Sequence, residues 1–86
     1  MKVRVYKIEG KHKDRLVAQG TLIAMNKHEP LQVWGDPSLG EEGITTTNVN
    51  KLYCPDHSGL NIVAYTENST YRVCFEEVEY GSKEEQ

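Results

Sequence analysis

Apolar residues recur at every second position through most of this chain. Val3 and Val5 alternate with Lys2, Arg4 and Tyr6, which predicts a strand over roughly residues 2–9. "EGKHKD" follows as a turn, with Gly10 available for positive φ. "RLVAQGTLIAMNK" is the longest apolar segment, and its Val, Ile, Thr and Leu content favours strand over a competing helix for residues 15–25. Both its faces are apolar: Leu16, Ala18, Leu22 and Ala24 on one, Val17, Ile23 and Met25 on the other. Gly20 at its middle predicts a bulge or bend, as in a strand that turns a barrel corner or is shared by two sheets. "LQVWG" is a short strand with Leu31 and Val33 on one face, and Pro37–Leu39 can form a single helical turn. "ITTTNVNKLYC", "LNIVAYTE" and "STYRVCFEEVEY" complete the strands, with "PDHSG" as a turn. The fold expected is all-β: five to six antiparallel strands in a small barrel or two-layered sheet, with little or no helix. Residues 1–80 form the single domain and residues 81–86 a frayed acidic tail. Trp34, Leu22, Ile62, Val73 and Phe75 are expected in or beside the core.

The stretch "TENSTYRVCF" fixes a register. A two-residue turn at Glu67-Asn68, using the tolerance of Asn for left-handed backbone and with a three- or four-residue loop as the alternative, sets Thr66 opposite Ser69. Ala64 then faces Tyr71, Ile62 faces Val73 and Leu60 faces Phe75, so both strands offer one continuous apolar stripe. A slip of one residue would set polar against apolar. The opposite face carries Asn61, Val63, Tyr65, Thr70, Arg72 and Cys74. It is half apolar, with an Arg able to lie over an aromatic ring, a mixture common at interfaces. Val63, Tyr65, Thr70 and Arg72 are therefore candidate binding residues.

Charge divides the chain unevenly. Residues 1–15 carry six bases and two acids, and the remainder four bases and eleven acids. Arg4, Tyr6, Lys11, Lys13 and Arg15 form a candidate basic binding segment, of the kind small barrels use on nucleic acid. The overall charge of −3 weakens that reading. An apolar content of 37% argues against disorder throughout. No apolar run reaches the roughly 18 residues of a membrane span. Met1 leads into "KVRVY" without an apolar signal core, so a cytoplasmic location is expected and the sequon Asn68-Ser69-Thr70 goes unglycosylated.

Candidate chemistry is sparse. Cys54, His57 and Cys74 lack the paired spacing of a zinc site. Cys54 and Cys74 are expected two strand spacings apart, about 9.6 Å, beyond the roughly 7 Å Cα separation that a disulfide tolerates. His12, His28 and His57 fall in separate turns, and His57-Ser58 adjacency does not position a proton transfer. Asp36 and Glu41, in a Gly-rich loop, lack a cation-loop pattern. No nucleophile elbow, P-loop or dinucleotide fingerprint occurs. The expectation is no enzyme, no cofactor and no metal.

Thr46-Thr47-Asn48-Val49 and Thr66-Glu67-Asn68-Ser69-Thr70-Tyr71-Arg72-Val73 resemble the closing hairpins of small phage and bacterial β proteins, over about a third of the chain. Some proteins with similar hairpins belong to phage counter-defence sets, including sponges for nucleotide signals. The resemblance implies an accessory or inhibitor protein acting by protein–protein contact. A sponge for a small anionic, nucleotide-like ligand and a nucleic-acid module stand as alternatives. A homodimer is expected through the half-apolar face or through the edge of the last strand, since so short a chain buries little apolar surface.

Overall fold

A computed structural model describes residues 1–11, 13–55 and 59–76. Six strands follow one another: β1 (Lys2–Ile8), β2 (Arg15–Ala24), β3 (Pro30–Trp34), β4 (Ile44–Tyr53), β5 (Asn61–Thr66) and β6 (Thr70–Phe75). Each pairs antiparallel with the next, and β6 pairs antiparallel with β1, so the sheet closes into a barrel. One 3-10 turn, Pro37–Leu39, is the helical element among the described residues. The all-β expectation holds, and residues 15–24 form a strand rather than a helix. The expected tail, residues 81–86, and the end of the last expected strand, residues 77–80, lie outside the described residues.

The interior is built from the alternation. Val3 and Val5 from β1, Leu31 and Val33 from β3, and Tyr71 and Val73 from β6 are buried, with Ala18, Val49 and Ala64 from the remaining strands. Complete burial of one such aliphatic side chain contributes roughly 1.5–3 kcal/mol. Valine and alanine predominate because six strands leave a narrow interior. Of the other core residues expected, Leu22 and Phe75 pack against this cluster and Ile62 is half-buried.

Trp34 is a correction, since it is 54% exposed. Leu31 and Val33 take the inward positions of β3, and the alternation turns the neighbouring Trp34 out. β2 supplies two more corrections. Val5 pairs with Ala18 and Tyr6 with Leu16, which leaves Val17 as an extra residue. This bulge turns Val17 onto the core beside Ala18 and leaves Leu16, expected on the same face as Ala18, 47% exposed. A second irregularity, between Leu22 and Ala24, leaves Ile23 unpaired and 60% exposed, and Met25 beyond it packs on the core. Gly20, between the bulges, is buried, and a Cβ there would lie 2.1 Å from the Trp34 carbonyl oxygen. Only glycine lets β2 and β3 approach so closely.

The β5–β6 register is the expected one. Ile62 pairs with Val73 and Ala64 with Tyr71, while the Phe75 N–H donates to the Leu60 carbonyl at 2.8 Å. The turn itself differs from expectation. His28 is the one non-glycine residue with positive φ among the described residues, so Asn68 is not left-handed. Thr66 closes the hairpin instead: its N–H and hydroxyl both donate to the Ser69 carbonyl, and its hydroxyl accepts from the Ser69 N–H at 3.1 Å. The expected open edge at the last strand is also overturned, because β6 is paired on both sides. Closure satisfies the backbone groups that an edge would present.

Asp36 and Glu41 brace the β3–β4 connection. Asp36 Oδ1 caps the 3-10 turn, accepting from the Ser38 N–H and hydroxyl. Glu41 Oε2 accepts from Lys2 Nζ at 2.8 Å, and Oε1 from the Asp36 N–H at 3.0 Å. The Ser38 hydroxyl and N–H hold Asp36 below its ordinary pKa, and the Lys2 ammonium does the same for Glu41, helped by the Asp36 N–H.

Two outcomes follow from this packing. Val73→Ala is expected to cost about 1–3 kcal/mol in a denaturant melt, and Arg72→Ala, one residue along on the outer face, under about 1 kcal/mol. The second concerns acid. Lowered folded-state pKa values mean that the Asp36 and Glu41 contributions are fully present above the ordinary carboxylate range and are lost as pH falls through the lowered values. The melting difference between wild type and Glu41→Gln is therefore expected at pH 7 and should shrink as pH falls below the ordinary carboxylate range, about pH 4.

Candidate functional site: the outer groove over β1 and β6

The β1–β6 ladder sets Arg4 opposite Cys74 and Tyr6 opposite Arg72. These positions alternate with Val3, Val5 and Val73, so their side chains stand on the outside of the barrel. The loop between β1 and β2 adds Lys13 and Asp14. Together Arg4, Tyr6, Lys13, Asp14, Arg72 and Cys74 line an open groove of about 520 Å³.

Arg72 is its centre. The guanidinium carbon lies over the Tyr6 ring, 4.9 Å from its centroid, a cation–π contact. Nε and Nη2 donate to one oxygen, Asp14 Oδ2, at 3.2 and 3.0 Å. Nη1 donates to Cys74 Sγ at 3.4 Å, and that thiol donates to Asn61 Oδ1 at 3.1 Å. Arg4 faces Glu76 at 3.7 Å. At the base of the loop Arg15 donates to Glu9 at 3.1 Å, and this contact raises the Arg15 pKa further above its ordinary value.

Two candidate sets, read from distant parts of the sequence, thus share one surface. Arg4, Tyr6 and Lys13 from the basic segment meet Arg72 from the β5–β6 face. Arg15, paired with Glu9, and Lys11, exposed in the turn, are not among the lining residues. Val63 pairs with Arg72, and Tyr65 with Thr70, on the adjoining part of the same outer face. Lys51 Nζ lies 5.7 Å from the centroid of the Tyr65 ring. Sequence reasoning missed the part played by Asp14, which enters only as a charge. Its partner lies 58 residues away, and no local pattern reports that contact.

Other candidates disperse. Cys54 and Cys74 are free thiols on β4's end and β6, with β5 between those strands. No cluster of three metal-binding side chains occurs among the described residues, and His12, His57 and Ser58 lie outside them. No helix among the described residues is long and apolar enough to cross a membrane. No protein family, no curated protein and no solved structure matches this chain.

The thiols should differ in reactivity. Cys54 is exposed, whereas Cys74 is half-buried and hydrogen-bonded on both sides. Ellman's reagent is expected to modify Cys54 in a fast phase and Cys74 in a slow one, with Cys54→Ser removing the fast phase.

Proposed function

We propose that this chain is a small non-catalytic binding protein that holds an acidic protein surface against the outer wall of β5, β6 and β1. One observation carries the reading: two arginines, a lysine and a tyrosine from separate stretches converge on an open groove of a barrel whose interior is filled with side chains. A filled core leaves ligand contact to the exterior, and cations beside an aromatic ring suit an interface that receives carboxylates. The hairpin resemblance supplies the biological role, an accessory or inhibitor protein of a phage or mobile element.

The nucleic-acid alternative is less well supported. Lys2, Arg4 and Arg15 of the basic segment each face a carboxylate of their own chain, at 2.8, 3.7 and 3.1 Å. With an overall charge of −3, little of that segment's field is left to attract a polyanion. The sponge alternative calls for an enclosed pocket, and this groove is open.

The test is a surface-specific loss of binding. Tagged wild-type protein is used to capture its partner, and the capture is repeated with Arg4→Glu/Lys13→Glu and with Trp34→Ser on another wall. The double variant is expected to lose the partner while its melt stays within about 0.5 kcal/mol of wild type. Trp34→Ser should retain it. Retention by the double variant with loss in Trp34→Ser would move the interface to the β2–β3 wall and contradict the reading.

A further inference from the structure

We infer that the groove is a carboxylate seat, occupied at rest by the chain's own Asp14 and opened when an acidic side chain of the partner takes that place. The inference rests on the binding face just proposed and adds to it the recognised group and an internal competitor.

The contacts of Arg72 carry the argument. A guanidinium meets a carboxylate best through two parallel N–H···O bonds. Asp14 does not provide this: both of its bonds from Arg72 end on the single oxygen Oδ2. The remaining terminal nitrogen, Nη1, is turned to the sulfur of Cys74, a weak acceptor. An incoming carboxylate that sets one oxygen on Nε and the other on Nη2 would take the edge Asp14 now holds and replace its one-oxygen contact with two parallel bonds. The seat needs little rearrangement, because the Arg72 guanidinium already lies over the Tyr6 ring.

Asp14 is also easily displaced. The side chains of Arg72 and Asp14 are 37% and 31% exposed, and ion pairs so open to water hold weakly. The loop that carries Asp14 is tethered at its base by Glu9 and Arg15 and bends at Gly10, whose φ is 69°. Asp14 can therefore leave Arg72 without loss of the β1–β2 connection.

Charge favours an acidic occupant. Arg4, Lys13 and Arg72 face Asp14 and Glu76, three cations against two carboxylates. Once Asp14 has left, the three cations stand against Glu76 alone, a surplus that suits the carboxylates of an acidic protein surface.

The experiment is an NMR titration of the full chain, following backbone amides and the Arg72 Nε–Hε resonance. The probes are an acetylated, amidated glutamate-rich pentapeptide and inorganic phosphate, at matched ionic strength. In wild type the peptide is expected to shift Arg72 Nε–Hε together with Arg4, Tyr6 and Lys13. Asp14→Asn should bind the peptide roughly two- to fivefold more tightly, the scale of an exposed ion pair released. Asp14→Ala repeats the measurement should the Asn form a new bond, and Arg72→Lys, which keeps charge but loses the fork, should bind more weakly. Peptide shifts that map to the groove with no gain in either Asp14 variant would overturn the internal competitor and leave the binding face standing. Tighter binding of phosphate than of peptide would overturn the carboxylate assignment. Absence of groove shifts in wild type and in both Asp14 variants would overturn the seat, while partner capture that is still lost in Arg4→Glu/Lys13→Glu would keep the face itself.

Discussion

The pairing of the first strand with the last is the constraint on which the rest of this protein depends. On its inner side the β1–β6 ladder sets Val5 opposite Val73 and brings Val3 beside them, all fully buried. On its outer side the same ladder sets Arg4 opposite Cys74 and Tyr6 opposite Arg72. Core and groove are two faces of one set of backbone hydrogen bonds, and the two-residue period of a strand assigns every side chain to one or the other. Closure also removes the open edges that a six-stranded sheet would otherwise present, so a short chain satisfies its backbone without a covering helix.

Closing so small a barrel needs local departures from regular pleating. The extra residue at Val17 and the second irregularity at Ile23 add twist to β2, and Gly20 between them admits the β3 backbone. Further along, Leu31 N–H donates to the Thr46 hydroxyl at 3.0 Å where the β3–β4 register shifts. Val49 is shared between strands in a similar way: its carbonyl accepts from the His28 N–H and its own N–H donates to Glu29. Side-chain hydroxyls and loop backbone thus take over hydrogen bonds where the ladder breaks, as buried polar groups require. These devices bend the sheet, and they also account for Leu16 and Ile23 lying outside.

What could be read from the sequence was what is local. Alternation located the strands, the facing apolar stripes of Leu60–Ala64 and Tyr71–Phe75 fixed the last hairpin, and Pro37 marked the helical turn between β3 and β4. What could not be read depends on partners distant in sequence. A bulge is defined by the strand opposite, so Leu16 was assigned to the wrong face although Ala18 was assigned to the right one. Trp34, expected in or beside the core, is turned out by its position next to the inward-facing Val33. The groove was legible only in halves, a basic segment and a mixed sheet face, because nothing local states that β1 closes on β6. Asp14, whose carboxylate completes the site, is unremarkable in its own surroundings.

The functional reading rests on that closure, since an open sheet would leave Tyr6 and Arg72 on opposite edges. The most direct test is therefore NMR of the wild-type chain in solution, combining cross-strand nuclear Overhauser contacts with amide hydrogen exchange in β1 and β6. Contacts between the Tyr6 ring and the Arg72 side chain, and between Arg4 and Cys74, are expected, with amides of both strands protected to the level of β5. Missing contacts, with β1 or β6 amides exchanging as fast as those of the turns, would contradict the closed barrel and the groove built on it.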